Sequence, residues 1–144
     1  MIRADSPRTL IADDQPDVLE ALRLLLKDEG FQIEAVSSPF DVLEALKQHN
    51  FDLLLMDLNY ARDTTSGREG LDLLSRVRAI DRTLPVVVMT AWANVDITLE
   101  PLREGVADFV LKPWENRQLI ATIKRHVESG QLARRSRRLN SLVS

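Results

Sequence analysis

An α/β protein, doubly wound in three layers as a (βα)5 chain, is the fold this sequence predicts, and three observations predict it. Short apolar runs alternate with longer segments of helical period, the pattern of βαβ units around a parallel sheet. Runs such as Leu53-Leu54-Leu55-Met56 and Val86-Val87-Val88-Met89 have no polar alternation. Strands apolar on both sides are covered on both faces, so helices must lie above and below the sheet. Finally, four of the runs end in polar clusters, as strands do whose tips line a crevice at the carboxyl end of an open sheet.

The elements follow in order. Strands are expected near 8–13, 31–36, 52–57, 85–90 and 108–112, and helices near 15–29, 39–49, 70–80, 94–104 and from about 115. Pro16 stands where a first helical turn tolerates proline. Val18, Leu22, Leu25 and Leu26 then form one apolar stripe, and Gly30 reads as the C-cap. Gly105 does the same for the fourth helix, and Leu119, Ile120, Ile123 and Val127 stripe the last one. The connection 59–70, NYARDTTSGREG, exceeds the roughly 2–6 residues usual between strand and helix, and it begins at the rim where β-run 52–57 ends. It reads equally as a polar surface loop or as a segment with a part in gating or partner choice.

At 144 residues the chain reads as one domain over 1–130, followed by a basic tail or the start of an interdomain linker over 131–144. The formal charge of −3 conceals this asymmetry, because 131–144 carries Arg134, Arg135, Arg137 and Arg138 and no acid. The remainder has 15 basic against 22 acidic residues, a net of −7, which disfavours direct nucleic-acid binding by the domain. Leu132, Leu139 and Leu142 hint at helical continuation toward a dimer, although Gly130 would cost such a helix about 1 kcal/mol. With no cysteine there is no disulfide, thiolate metal site or thiol nucleophile. No stretch has the length and apolarity of a membrane span, and the N-terminus lacks a signal-peptide core, so a cytoplasmic protein without membrane contact is expected.

The four clusters carry the chemistry. Asp13-Asp14 closes the run 9–12, Asp57 closes 53–56, Thr90 closes 86–89, and Lys112-Pro113 closes 109–111. On neighbouring parallel strands these tips gather three carboxylates, a hydroxyl and an ammonium. Carboxylates so close repel one another and call for a cation; oxygen donors without His or Cys point to Mg²⁺ or Mn²⁺. Asp14 and Asp57 are expected as direct ligands, with Asp13 acting directly or through water and the Asn59 backbone carbonyl completing the set. Asp57, alone at the end of a central run, is the candidate nucleophile for an aspartyl phosphate. An incoming phosphoryl group has three equatorial oxygens. One would go to the cation, one to Lys112, and one to the Thr90 hydroxyl with the Ala91 amide. Each residue alone has a plainer reading: Asp13-Asp14 as a cap before Pro16, Asp57 as a strand end, Thr90 as a β-former, Lys112 as a solvated cation. Those readings leave unexplained why all four fall at the same strand ends.

These residues, with Asp57-x-Asn59, Thr90-Ala91, Phe109, Lys112-Pro113 and the turns at Gly70-Leu71 and Gly105, make residues 8–128 resemble the receiver domain of two-component response regulators. The resemblance implies a flavodoxin-like five-stranded parallel sheet in the order 2-1-3-4-5, an order for which the chemotaxis member of this family is itself a standard example. It implies a sensor histidine kinase as phosphoryl donor and Asp57 as acceptor. The activity would be phosphoryl transfer to its own aspartate and slow self-dephosphorylation, not conventional turnover. It further implies that Thr90 moves inward on phosphorylation and Phe109 follows. The face of the fourth helix, fifth strand and last helix would then be remodelled, and a homodimer would form through it. A cis Lys112-Pro113 bond is also implied. Ala61 stands where many members have proline, and the extended Arg-Asp-Thr-Thr-Ser-Gly loop looks like that of enhancer-binding transcription activators. The output would then be transcription, through a domain absent here; the alternative is a stand-alone regulator.

Three other functions compete with this one. A flavin or nucleotide binder of this fold would need a Gly/Ser/Thr-rich first turn, whereas 13–17 reads Asp-Asp-Gln-Pro-Asp. A small-molecule phosphatase would place a second acid where Asn59 stands. A pure interaction module would take no phosphoryl group. His49 and His126 read as solvated or packing residues, Trp92 as a docking or packing residue, and Trp114 as the seat of the last helix.

Overall fold

Five runs become five parallel strands; the central run 53–57, apolar up to its last residue, is wholly buried, whereas the edge runs 32–36 and 108–112 carry polar residues and are partly exposed. The structure, a computed structural model, describes residues 6–57, 68–91 and 106–143. The strands are β1 (Arg8–Ala12), β2 (Gln32–Val36), β3 (Leu53–Asp57), β4 (Val86–Ala91) and β5 (Asp108–Lys112), in one sheet ordered β2-β1-β3-β4-β5. All neighbouring pairs are parallel, and the register sets Ala12 beside Met56, Asp57 beside Met89, and Ala91 beside Lys112. The carboxyl ends therefore finish along one rim.

Four helices are described: α1 (Pro16–Asp28), α2 (Pro39–Gln48), α3 (Arg68–Ile80) and α4 (Asn116–Val143). They divide between the two faces. On one, Leu10, Ala12, Leu54, Met56, Val86 and Val88 pack with Val42 and Ala45 of α2 and Leu73, Leu74 and Val77 of α3. On the other, Ile11, Leu53, Leu55, Val87, Met89 and Val110 pack with Leu22 and Leu26 of α1 and Leu119, Ile123 and Val127 of α4. All five residues of the central β3 are buried, as its unbroken apolar reading required.

Local chemistry fixes the helix ends. α1 terminates at Gly30, whose φ of 88° suits a residue without Cβ. Gly30 N donates to Lys27 O and Phe31 N to Leu26 O, a Schellman closure with Phe31 and Leu26 sharing the same core. α2 begins at Ser38, whose hydroxyl accepts from Asp41 N at 3.1 Å, with Pro39 in the first turn. Ser38→Ala should cost about 1 kcal/mol, read as a lower urea midpoint at unchanged slope. Ser38→Asn, which still caps, should retain most of that stability.

The expected elements agree with the observed ones to within two residues at described boundaries, the ordinary fraying of helix and strand ends. The expected helix 94–104 and the turn at Gly105 lie outside the described residues. The division expected at residue 130 leaves no mark on the backbone. Helix α4 continues through Gly130 to Val143, a rod of about 42 Å at 1.5 Å per residue. No described helix is long and apolar enough to cross a membrane.

Candidate functional site

The rim residues converge because adjacent parallel strands end together. Asp13 follows β1 directly, its amide donating to Val36 O at 3.3 Å, so the chain turns out of the sheet with the side chain still enclosed. Asp13 is fully buried, Asp57 is 6% exposed and Thr90 2% exposed, whereas Asp14 is half-buried. One Asp13 oxygen accepts from Gln15 N at 2.9 Å, which starts the turn into α1. The other accepts from Lys112 Nζ at 2.8 Å. Lys112 is the last residue of β5, and its Nζ also stands 3.4 Å from Asp57 Oδ2. The Lys112-Pro113 bond is cis.

The electrostatics follow from that arrangement. Burial by itself would lower the Lys112 pKa; the hydrogen bond to Asp13 and the charges of Asp57 and Asp13 outweigh it and raise the ammonium above its ordinary value. Carboxylate oxygens of Asp13, Asp14 and Asp57 all lie within 4.8 Å of one another. Three carboxylates face one ammonium, a formal excess of negative charge in a mostly buried pocket. Oxygen-only donors with that residual charge fit a hard divalent cation. Asp13 already spends one oxygen on Gln15 and the other on Lys112, so Asp14 and Asp57 are the carboxylates better placed to ligate directly.

Of the residues expected in the site, Asp13, Asp14, Asp57, Thr90, Ala91 and Lys112 lie at this rim. Asn59 and Trp92 lie outside the described residues. Phe109 is half-buried and packs against the core on the α2–α3 face. Trp114 packs against the opposite core beside α4, and its Nε1 donates to Asn116 Oδ1 at 3.0 Å, a seat for that helix. With Phe109, Gln118 and Thr122 it lines a cleft of about 410 Å³, to which none of the carboxylates of the rim contributes.

One cluster was not foreseen. Asp108, at the start of β5, takes Arg125 Nη2 at 2.7 Å and His126 Nε2 at 3.1 Å on one oxygen, and the Phe109 amide at 2.8 Å on the other. His126 is therefore a hydrogen-bond partner of Asp108 across the fold. Burial would raise the Asp108 pKa; the His126 hydrogen bond, the Phe109 amide, the His126 charge and the Arg125 bond together hold it below its ordinary value. Seventeen residues separate Asp108 from Arg125, and no spacing motif joins them.

Sheet order, rim and buried carboxylates define a family. The family model for the response regulator receiver domain matches residues 9–124, and the chain belongs to that family. It is 31% identical over 136 residues to the alginate biosynthesis transcriptional regulatory protein AlgB of Pseudomonas aeruginosa, covering 94% of this chain and 29% of that protein. It is 29% identical over 121 residues to the transcriptional regulatory protein ZraR of Escherichia coli, covering 84% of this chain and 26% of that one. This chain thus spans about a quarter to a third of those regulators' length. Among solved structures, the N-terminal receiver domain of a two-component response regulator from Bacteroides fragilis superimposes with a TM-score of 0.75 at 34% identity, over 85% of this chain and 98% of that one. NtrX from Brucella abortus, in complex with ADP, gives 0.78 at 26% identity, over 93% of this chain and 30% of that one.

Proposed function

We propose that this receiver domain takes a phosphoryl group on Asp57 from the phosphohistidine of a sensor histidine kinase, in the cytoplasm and in the presence of Mg²⁺ or Mn²⁺. The observation that carries the reading is the Lys112 ammonium shared between buried Asp13 and Asp57 at the carboxyl rim of the sheet. A lysine serving structure alone would need one carboxylate partner; here a second stands in the position of an acceptor. Asp14 and Asp57, the Asn59 carbonyl, and Asp13 directly or through water would hold the cation. When bound, the cation neutralises charge on the acceptor and on the incoming phosphoryl group.

The chain's own residues do the remainder. An Asp57 carboxylate oxygen attacks phosphorus, the donor's P–N bond breaks, and the departing imidazole keeps the electron pair and takes up a proton. Lys112 takes one phosphoryl oxygen; the Thr90 hydroxyl and the Ala91 amide take another. Thr90 and Phe109 then act as switch residues that remodel the face made by the segment after β4, β5 and α4, through which a homodimer would form. The transcriptional regulators it resembles favour control of transcription through an output domain.

The test is intact mass after incubation with acetyl phosphate and Mg²⁺. The wild type should gain a single phosphoryl mass and Asp57→Asn none. An equal adduct on both proteins overturns the assignment.

A further inference from the structure

The phosphoacceptor rim uses the carboxyl end of β5. Asp108, at its other end, lies outside that rim, yet its carboxylate takes the Phe109 amide, Arg125 and His126. Strand alternation places Asp108, Val110 and Lys112 toward the α1–α4 face, where Val110 packs with Leu119, Ile123 and Val127. Phe109 points the other way, toward α2 and α3. The Phe109 side chain packs against the α2–α3 core and lines the cleft with Gln118 and Thr122 of α4, and a polar link to that helix runs through its backbone. Phe109 N is bonded to Asp108 Oδ1, and Asp108 Oδ2 holds both Arg125 and His126.

We propose that Asp108 is a positioning residue that couples the Phe109 backbone to α4 through Arg125 and His126, and so passes a change at the phosphoacceptor rim into the helix that runs on to Val143. This rests on the proposed phosphorylation of Asp57. Three features carry it. Both carboxylate oxygens are engaged, one by the strand and one by the helix, so neither partner can shift without loading the other. The acceptor is ionised, which makes these the stronger kind of hydrogen bond. The two donors are consecutive residues on α4, five and four positions before Gly130, where the helix lies against Asp52 and Pro85, the residues just before β3 and β4. A displacement of Arg125 and His126 is thus applied within about two turns of the Gly130 contact, upstream of 131–143.

Hydrogen exchange on the whole chain tests it, with beryllofluoride and Mg²⁺ as the probe and intact mass after acetyl phosphate run in parallel. In the wild type, beryllofluoride should change amide exchange of 125–143 by about threefold, a small shift in local opening. Asp108→Asn should still gain the phosphoryl mass but lose most of that response. Arg125→Gln with His126→Gln, the first exposed and the second partly buried, should do the same, and Arg125→Lys should restore part of it when paired with native His126. A purely structural strap predicts altered basal exchange with the threefold response intact; that result overturns the proposal. Absence of the mass gain on the wild type overturns the phosphorylation reading instead, and the inference with it.

Discussion

Lys112→Met should cost the domain about 2–4 kcal/mol in the absence of divalent cations, because it removes one partner from a buried charged cluster and leaves the others in place. Asp13 is fully buried and Asp57 nearly so, and Lys112 Nζ contacts both, at 2.8 and 3.4 Å. Methionine fills much of the same volume, so the loss reports charge more than cavity. In the variant the Lys112 ammonium is gone from among the three carboxylates, and a divalent ion bound there would supply the counter-charge it provided. Urea midpoints measured with chelator and with Mg²⁺ should therefore converge toward the wild type on adding Mg²⁺, with a larger Mg²⁺ increment in the variant. An unchanged midpoint in chelator would show that Lys112 is not the cluster's counter-charge. The same interaction has a pH signature. Its folded-state pKa is raised above the ordinary 10.5, so the stabilisation is complete below that pH and disappears as pH rises through the higher folded value. Wild-type stability should fall in that alkaline window by an amount Lys112→Met does not show, while between pH 6 and 9 the difference between the proteins should stay flat.

The sheet and the rim were legible because both are written in adjacent residues. An unbroken apolar run such as 86–89 has few places to go except a strand covered on both faces, and its next residue must lie at the strand's tip. Parallel neighbours then bring Asp57, Ala91 and Lys112 to one edge whatever the loops between them do. The Asp108–Arg125–His126 cluster was not legible, since it depends on which helical face crosses β5, and Arg125 and His126 alone look like ordinary polar residues of an amphipathic helix. The plainer reading of Asp13 as a helix cap was half right: it accepts from Gln15 N, yet Gln15 is itself the N-cap of α1 and makes no side-chain cap bond. The continuation of the last helix was obscured by Gly130, whose low propensity argued for an end. Propensity is a weak prior, and here tertiary contact decides.

That contact makes Gly130→Ala the second large effect, and the opposite of what helix propensity alone predicts. In a solvent-facing helix the change would stabilise by up to about 1 kcal/mol. Gly130, however, is buried, and a Cβ on it would overlap the backbone carbonyl oxygen of Asp52 and stand 3.1 Å from Pro85 Cδ. The obstacle cannot step aside cheaply. Asp52 N is bonded to Arg8 O at 2.7 Å and its carboxylate accepts Arg8 N at 2.8 Å, so moving this carbonyl disturbs the junction of β1 and β3. Overpacking of this kind costs about 1–3 kcal/mol, enough to exceed the propensity gain. Gly130→Ala should lower the urea midpoint, Gly130→Val should lower it further, and the exposed control Ser129→Ala on the same helix should be neutral or slightly stabilising. A Gly130→Ala protein more stable than the wild type would mean that α4 has already left the sheet by residue 130. The mechanical link from Arg125 and His126 into 131–143 would then lose the Gly130 contact with Asp52 and Pro85.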